Sequence, residues 1–301
     1  MQINHMSRAV ASLKVWEDDP RWGREHWGIR HEAIQWPQNA RVAAVCGVSF
    51  NFPDMNFDYL PPAYTGSTIK YSSILLYGGR RGVWRLLDLL DRHNYKASFE
   101  VNGIAAEQFP EAVKEISKRG HEIVAGHWAD NVRHDKQTPE EERNFVKRTL
   151  SAIENVTGKR PSGWVAPQLA IGAKTLNILA EEGIKWHANS IASDLPYVIH
   201  VDGKPMVVLP HAFHNLNDEF YVFRGLPKVY LEFMQREFAA LHREGAKAPK
   251  MFNFSVHAHI GGRAFFFSAI EEMLSQLSRF SDVWLTTRQQ VVDWWEKQKY
   301  T

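Results

Sequence analysis

Several polar residues of the chain stand where apolar segments end, and their side chains are of types that bind carbonyl groups, hold metals or transfer protons. They are Asn51, Asp54, Glu100, His127, Asp130, His257 and His259. Histidines and carboxylates supply general acid–base catalysis, and the same types ligate zinc. Because functional groups of parallel α/β folds collect on the loops at strand C-termini, we expect these residues to share one mouth if their strands are neighbours.

The segments that carry these residues alternate with helical patterns. Apolar strand patterns cover residues 43–51, 97–101, 121–125, 163–167, 184–187, 206–210, 252–256 and 283–286. Amphipathic patterns lie between them, and Thr138, Pro139 and Glu141 form a helix N-cap signal. Seven or eight alternating β and α units predict a parallel sheet covered by helices. No glycine-rich phosphate loop marks a dinucleotide crevice, so a barrel is favoured over an open doubly wound sheet.

Residues 1–40 are predicted to form an arm and residues 41–301 one barrel domain. The arm is rich in tryptophan and lacks clean periodicity, which indicates irregular packing by its aromatic rings. Such an arm can contact a neighbouring subunit, so we expect a homo-oligomer. The first strand is followed by a proline-containing stretch, residues 52–73, that is predicted to be irregular, and loops of that length are usually functional.

Composition excludes several classes of partner. The 36 Lys and Arg residues nearly balance the 34 Asp and Glu residues, for a formal net charge of +2. No global field therefore attracts nucleic acid or an anionic membrane. We find no apolar run of signal-peptide or membrane-span length, and we expect a cytoplasmic protein. The lone Cys46 lies in an apolar strand and is expected to be a small buried hydrophobe.

Motifs spread along the chain resemble those of the NodB-type polysaccharide deacetylase superfamily. They are YGGRRGVWRLLDLLDRH from Tyr77, GHEIVAGHW from Gly120, TPEEER from Thr138, VTGKRPSGW from Val156, DLPY from Asp194, GGR ending at Arg263 and VWLTTRQQVVDWW from Val283. The YGxRxGVWR segment is similar to the branch of metal-independent allantoinases and cyclic imide hydrolases. The resemblance implies a distorted (β/α) barrel of seven or eight parallel strands that hydrolyses carbon–nitrogen bonds other than peptide bonds.

The chain departs from the deacetylase pattern at the metal motifs. Asn51 and Pro53 stand where the family has two aspartates, and Asp54 is displaced by one residue. In the second motif, neither register from His121 restores the two metal ligands spaced four residues apart. Val165 stands where deacetylases commonly have an arginine. We therefore assign no cofactor; if a divalent metal such as zinc binds, the expected ligands are His127, Asp130 and Asp54, with His134 as an alternative.

The resemblance and the residue types together predict roles for four catalytic side chains. His257 matches the family's last histidine, which acts as a general acid toward the leaving amine. Asp54, Glu100 and His127 are alternative bases that activate water. Three of them have a structural alternative: His257 would be a histidine hydrogen-bonded at the strand end, Glu100 would form a salt bridge to Arg80 or another basic residue, and His127 would be a core histidine.

Five further residues are predicted to contact a small-molecule substrate. They are Asn51, Arg80, Trp128, Trp164 and Arg263. The two arginines lie in glycine-rich segments, where a guanidinium can reach a carbonyl or carboxylate or can instead pin a loop. The two tryptophans would form an aromatic wall that favours a compact, flat ligand, although such residues are often simply core.

Three functions remain open from the sequence. The first is hydrolysis of a small amide, ureide or cyclic imide in the manner of an allantoinase. The second is zinc-dependent N-deacetylation of a sugar or polysaccharide. The third is ligand binding without catalysis on an inherited barrel.

Overall fold

The computed structural model describes residues 34–54, 68–211 and 227–298. Most of the predicted arm, residues 1–33, and much of the predicted irregular stretch, residues 55–67, lie outside the described residues.

The described residues form a sheet of nine strands, and eight of them pair in parallel. The strands are β1 Val42–Phe50, β2 Ser98–Val101, β3 Glu122–Ala125, β4 Gly163–Trp164, β5 Trp186–Ser190, β6 Tyr197–Val201, β7 Lys204–Pro210, β8 Lys250–His257 and β9 Val283–Thr286. Their order is β6-β7-β5-β4-β3-β2-β1-β8, and β9 also pairs with β1. The predicted fold class is confirmed, and the four strands chosen for their polar ends are consecutive neighbours, β3-β2-β1-β8.

The barrel is distorted at two places. Strands β7 and β8 share no backbone ladder, but the Asn253 side chain donates from Nδ2 to the Pro210 carbonyl at 3.0 Å and so bridges them. Strand β6 was not predicted, and it runs antiparallel to β7 at the other end of the sheet order. Asp202 and Gly203 join these two strands with φ angles of 50° and 76°, the left-handed values of a tight hairpin turn.

Helices cover the outside of the sheet. They are α1 Thr68–Tyr77, α2 Val83–Arg92, α3 Gly103–Gln108, α4 Pro110–Lys118, α5 Pro139–Thr157, α6 Thr175–Glu181, α7 Pro227–Glu244, α8 Ala258–Gly261, α9 Ala264–Leu277 and α10 Arg288–Gln298. The predicted cap of α5 is confirmed, since the Thr138 side chain and Glu141 satisfy each other's backbone N–H groups. Helix α1 begins at Thr68, so residues 68–73 are helical where an irregular loop was predicted. No described helix has the length and apolar character needed to cross a membrane.

Strand alternation separates two cores. Side chains such as Val48 and Phe50 of β1 point outward and pack beneath the helices. Ala43 and Val45 of the same strand point into the lumen, where they join an apolar cluster that contains Trp186. The cluster also includes Trp36 of the predicted arm, whose Nε1 donates to the Lys250 carbonyl at 2.8 Å. The N-terminal end of the lumen is therefore apolar, and polar side chains collect toward the other end.

Candidate active site

Three polar side chains lie side by side on the lumen face of neighbouring strands. Ser49 of β1 is in register with His257 of β8 on one side and with Glu100 of β2 on the other. In-register residues of parallel strands face the same side of a sheet, so all three side chains face the lumen. The Ser49 hydroxyl donates to Glu100 Oε2 at 2.7 Å. Of the three, only His257 is half-buried, while Ser49 and Glu100 are buried.

Glu100 forms a buried ion pair with Arg288, not with Arg80. Arg288 Nη1 lies 2.6 Å from Glu100 Oε1, and the two side chains are 3% and 6% exposed. Burial alone would raise the pKa of Glu100, but the Arg288 charge and hydrogen bonds from His211 and Ser49 hold it well below its usual range. A carboxylate of such low basicity is a poor proton acceptor, which disfavours the predicted role of Glu100 as the base.

The position of Arg288 follows from strand register. β9 pairs with β1 only up to Val45, and β2 pairs with the same strand from Gly47 onward. β8 pairs with β1 along one edge of that strand, so β9 and β2 both pair along the opposite edge. Because β2 occupies this edge from Gly47 onward, the chain must turn away from it after Thr286. Gly47 provides the space, because a Cβ there would lie 3.0 Å from Arg288 Nη2 and 2.8 Å from the Ser255 Cβ.

Asp54 is held against the loop that follows β3. The Asp54 backbone N–H donates to Asn131 Oδ1, and Asn131 Nδ2 donates to the Asp54 carbonyl, both at 2.8 Å. The Trp128 indole Nε1 donates to Asp54 Oδ2 at 2.9 Å. The Asp130 backbone N–H also donates to the Phe52 carbonyl. Hydrogen bonds thus join the ends of β1 and β3, and Trp128 contacts Asp54 from a buried position.

His127 lies on the opposite face of the sheet from the predicted mouth. Strand alternation turns Val124 into the lumen and Ala125 outward, and the His127 ring, beyond the end of β3, lies against Phe145 of α5 and Trp164. The imidazole stacks on His134 with ring centroids 3.8 Å apart, and Nε2 lies 2.9 Å from Gln137 Oε1. Burial, assisted by the neighbouring His134, holds the pKa of His127 well below its usual value. The expectation that His127 shares the mouth is corrected, and its position matches the core-histidine alternative.

Trp164 belongs to the same outer layer and does not line the lumen. Its indole Nε1 donates to His134 Nε2 at 3.2 Å, which leaves His134 Nδ1 to donate to Glu142 Oε1 at 2.6 Å. Burial lowers the pKa of His134 to about 3 and raises that of Glu142. The predicted substrate-facing wall at Trp164 is corrected, because strand alternation places Gly163 and Val165 on the lumen side.

The two predicted arginines lie in close-packed segments beside α8. Arg80 is exposed on a π-helical turn, Gly78–Gly82. Arg263 donates from Nε to the His259 carbonyl at 2.9 Å, and its guanidinium lies 4.2 Å from the centre of the Tyr77 ring. Arg263 therefore pins these segments together, as its structural alternative predicted. Asn51, at the end of β1, has a buried Oδ1 that meets no hydrogen-bond partner among the described residues.

Two residues of the lumen were missed by the sequence analysis. His211 directly follows β7, and Arg288 lies two residues after β9. The signal that identified the other candidates, a polar residue at the end of an apolar strand, was present at both positions.

The predicted metal ligands do not form a site in the described part of the chain. His127 faces the outer layer, and Asp54 accepts from an indole. Within residues 34–54, 68–211 and 227–298, no group of three or more His, Cys, Asp or Glu side chains is arranged to hold a metal ion. Zinc requires three or four such ligands at about 2.0–2.2 Å for nitrogen and oxygen. The described residues therefore do not fit the divalent metal of the deacetylase pattern.

Comparison with known proteins agrees with this architecture. A family model described as polysaccharide deacetylase matches residues 56–187. The structure of PuuE allantoinase superposes with a TM-score of 0.82 at 23% identity, over 91% of this chain and 96% of that one. The chain is therefore similar in sequence to polysaccharide deacetylases over residues 56–187 and similar in fold to PuuE allantoinase. At this identity the likeness to the allantoinase concerns the fold.

Curated relatives carry deacetylase names. A Schizosaccharomyces pombe protein whose name places it among polysaccharide deacetylases is 23% identical over 306 residues, which is 86% of this chain and 92% of the relative. A Helicobacter pylori peptidoglycan deacetylase is 30% identical over 127 residues, 42% of this chain and 43% of the relative. The chain thus spans nearly all of the first relative but less than half of the second.

Proposed function

We propose that the chain hydrolyses the amide carbon–nitrogen bond of a compact substrate, a small amide, ureide or cyclic imide, at the C-terminal end of the barrel. The observation that carries this proposal is the row formed by His257, Ser49 and Glu100 on three neighbouring strands. The match of residues 56–187 to the polysaccharide deacetylase family model supports the reaction class, since deacetylation of an amide is hydrolysis of a carbon–nitrogen bond. The depth of the row favours a small substrate, since Ser49 and Glu100 are buried and only His257 is half-buried.

His257 is the general acid in this proposal. Hydrolysis adds water to the carbonyl carbon, and the carbon–nitrogen bond breaks when the departing nitrogen receives a proton. Imidazole titrates near neutral pH without special tuning, and general acid catalysis contributes about 10²–10⁴ in rate. Glu100 has a structural role, because its carboxylate orients the Ser49 hydroxyl and neutralises the charge of Arg288. No step passes through a metal ion.

The names of the curated relatives favour a second candidate, removal of the acetyl group from an N-acetylated sugar. An acetamide is also compact, so its carbonyl would enter the same part of the lumen. The two candidates differ in the product: deacetylation releases acetate, whereas ring opening of an imide or ureide retains both parts in one molecule.

One panel of substrates tests both candidates. Purified protein at high concentration is incubated with hydantoin, allantoin, succinimide, N-acetylglucosamine and N-acetylglucosamine oligomers, and products are followed by proton NMR. Ring-opened products support the first candidate, and acetate release supports the second. If no compound is turned over, both candidates are contradicted.

A His257→Gln variant and a matched control make the panel specific to the site. His242 is a suitable control, because its Nε2 pairs with Asp282 Oδ1 at 2.9 Å outside the lumen. Turnover that survives His257→Gln unchanged would contradict the assignment of the acid, whatever the substrate. His242→Gln is expected to retain wild-type turnover.

A further inference from the structure

A histidine outside the family motifs reaches across the barrel lumen. His211 follows β7, and its backbone N–H donates to the Ser190 carbonyl of β5 at 2.7 Å. Its side chain is 2% exposed, and Nε2 lies 3.5 Å from both Glu100 Oε1 and Arg288 Nη2. Three strands, β5, β4 and β3, separate β7 from β2 in the sheet order. The contact between His211 and Glu100 is therefore made through the lumen and not along the sheet.

The His211 ring stands beside an ion pair whose charges cancel. Among the described residues, Glu100 from β2 and Arg288 from α10 contact its Nε2. A carboxylate beside an imidazole nitrogen fixes the ring's orientation and stabilises its protonated form, whereas a guanidinium opposes protonation. Both groups lie at the Nε2 edge of the ring, so they fix its orientation. A fixed orientation is what a proton-transferring group needs toward a bound water.

His211 and the row of lumen residues belong to one polar region. Glu100 Oε2 accepts from Ser49, and Ser49 is the register partner of His257. The carboxylate that contacts His211 is thus linked through one hydroxyl to the strand position beside the candidate acid. None of the other proposed bases has this arrangement: Asp54 accepts from Trp128, and His127 lies in the outer layer.

We propose that His211 is a second acid–base residue of the hydrolase, with Glu100 and Arg288 as its positioning residues. This inference rests on the proposed function. Neutral His211 takes a proton from the attacking water as the carbon–oxygen bond forms. The carbon–nitrogen bond then breaks, and its electron pair takes a proton from His257. The products are a carboxyl group and an N–H group, which is an amine from a simple amide, a ureido group from a cyclic ureide and an amide from an imide. The proton on His211 returns through solvent to His257.

The test is the pH dependence of kcat on the best substrate of the panel. His211→Gln is expected to lower kcat by about 10²–10⁴. It should also remove the fall of kcat at low pH (the acid limb), because the imidazole that must be neutral to accept the proton is gone. His242→Gln is the control, since it also removes a histidine paired with a carboxylate but outside the lumen. Urea unfolding of each variant establishes that the comparison is between folded proteins.

Glu100→Gln provides a second readout if His211→Gln does not fold. Loss of the carboxylate disfavours the protonated imidazole, so the acid limb is expected to move to lower pH. A limb that stays in place, or a His211→Gln variant within threefold of wild-type kcat, overturns the inference while the proposed function stands. A wild-type protein that is inactive on the whole panel overturns the proposed function and this inference with it.

Discussion

Replacing Arg288 by methionine would leave the Glu100 carboxylate buried without its cation. The ion pair is 2.6 Å long, and neither side chain is more than 6% exposed, so solvent cannot substitute for the lost guanidinium. Breaking a buried pair by removing one partner costs about 3–5 kcal/mol. We therefore expect Arg288→Met to lower the free energy of unfolding at pH 7 by about that amount.

The double variant separates the pair from the volume of its side chains. The double variant, Glu100→Gln with Arg288→Met, has no unpaired charge. It should therefore recover most of the free energy of unfolding that Arg288→Met loses, with a coupling energy of about 2–3 kcal/mol. Arg92→Met is the surface control, because Arg92 and its partner Glu271 are 53% and 43% exposed. Exposed pairs contribute about 0–1 kcal/mol.

The same variants should differ in their response to pH. In the wild-type protein the pKa of Glu100 is depressed, so its contribution is present above the unfolded value of about 4.3 and is lost as pH falls toward the folded value. In Arg288→Met, burial without the cation penalises the charged form, so the deficit should shrink between pH 7 and pH 5. Urea unfolding followed by circular dichroism measures both effects. A loss below about 1 kcal/mol, or a deficit equal at the two pH values, would refute the buried-pair argument.

Three further outcomes follow from the described contacts. Burial lowers the pKa of His187 to about 4, so its contribution to the free energy of unfolding is complete above about pH 6.5 and falls by about 1.4 kcal/mol per pH unit between there and about pH 4. His187→Phe should therefore flatten the pH dependence of the free energy of unfolding, and an unchanged slope would contradict this prediction. Trp128→Phe removes the donor to Asp54 Oδ2 and should cost about 1–3 kcal/mol in urea unfolding; a neutral effect would mean that this bond does not hold the loop. Gly47→Ala places a methyl carbon 2.8 Å from a neighbouring Cβ and should lower the melting temperature, with a cost of about 1–3 kcal/mol; an unchanged melting temperature would mean that the strands move apart freely.

The order of the elements could be predicted from the sequence because period and caps are local signals. The α5 cap at Thr138 and the apolar run of β1 lie within a few residues of the features they determine. The β6–β7 hairpin also had a local signal, the Asp202-Gly203 pair at its turn, which the strand search did not use.

Side-chain direction at the ends of strands was harder to predict. His127 was expected at the mouth because it follows an apolar strand, but β3 ends at Ala125, two residues earlier. Counting strand alternation onward from Val124 would assign His127 to the outer layer and Trp128 to the lumen, whereas Trp128 packs on Phe145 of α5. Strand parity therefore does not extend past Gly126.

The ion-pair partner of Glu100 depends on packing that no local pattern encodes. Arg288 lies 188 residues from Glu100 along the chain, and it reaches the lumen only because β9 and β2 share one edge of β1. The sequence analysis could state that a buried carboxylate requires a basic partner, but the choice among the chain's basic residues required the register of three strands.

Location and assembly remain predictions. We expect a cytoplasmic homo-oligomer, and light scattering of the purified protein measures the subunit count directly. A mass equal to one chain, with 34.7 kDa per chain, would contradict the oligomer.

The most direct test compares kcat/KM for His257→Gln and His127→Gln on the best substrate of the panel. Our account places the chemistry inside the lumen, so His257→Gln should lose about 10²-fold or more, as expected for removal of a general acid. His127 lies in the outer layer, so His127→Gln should remain within about threefold of wild type when both variants are folded. The reverse result, a large loss for His127→Gln and none for His257→Gln, would contradict the account.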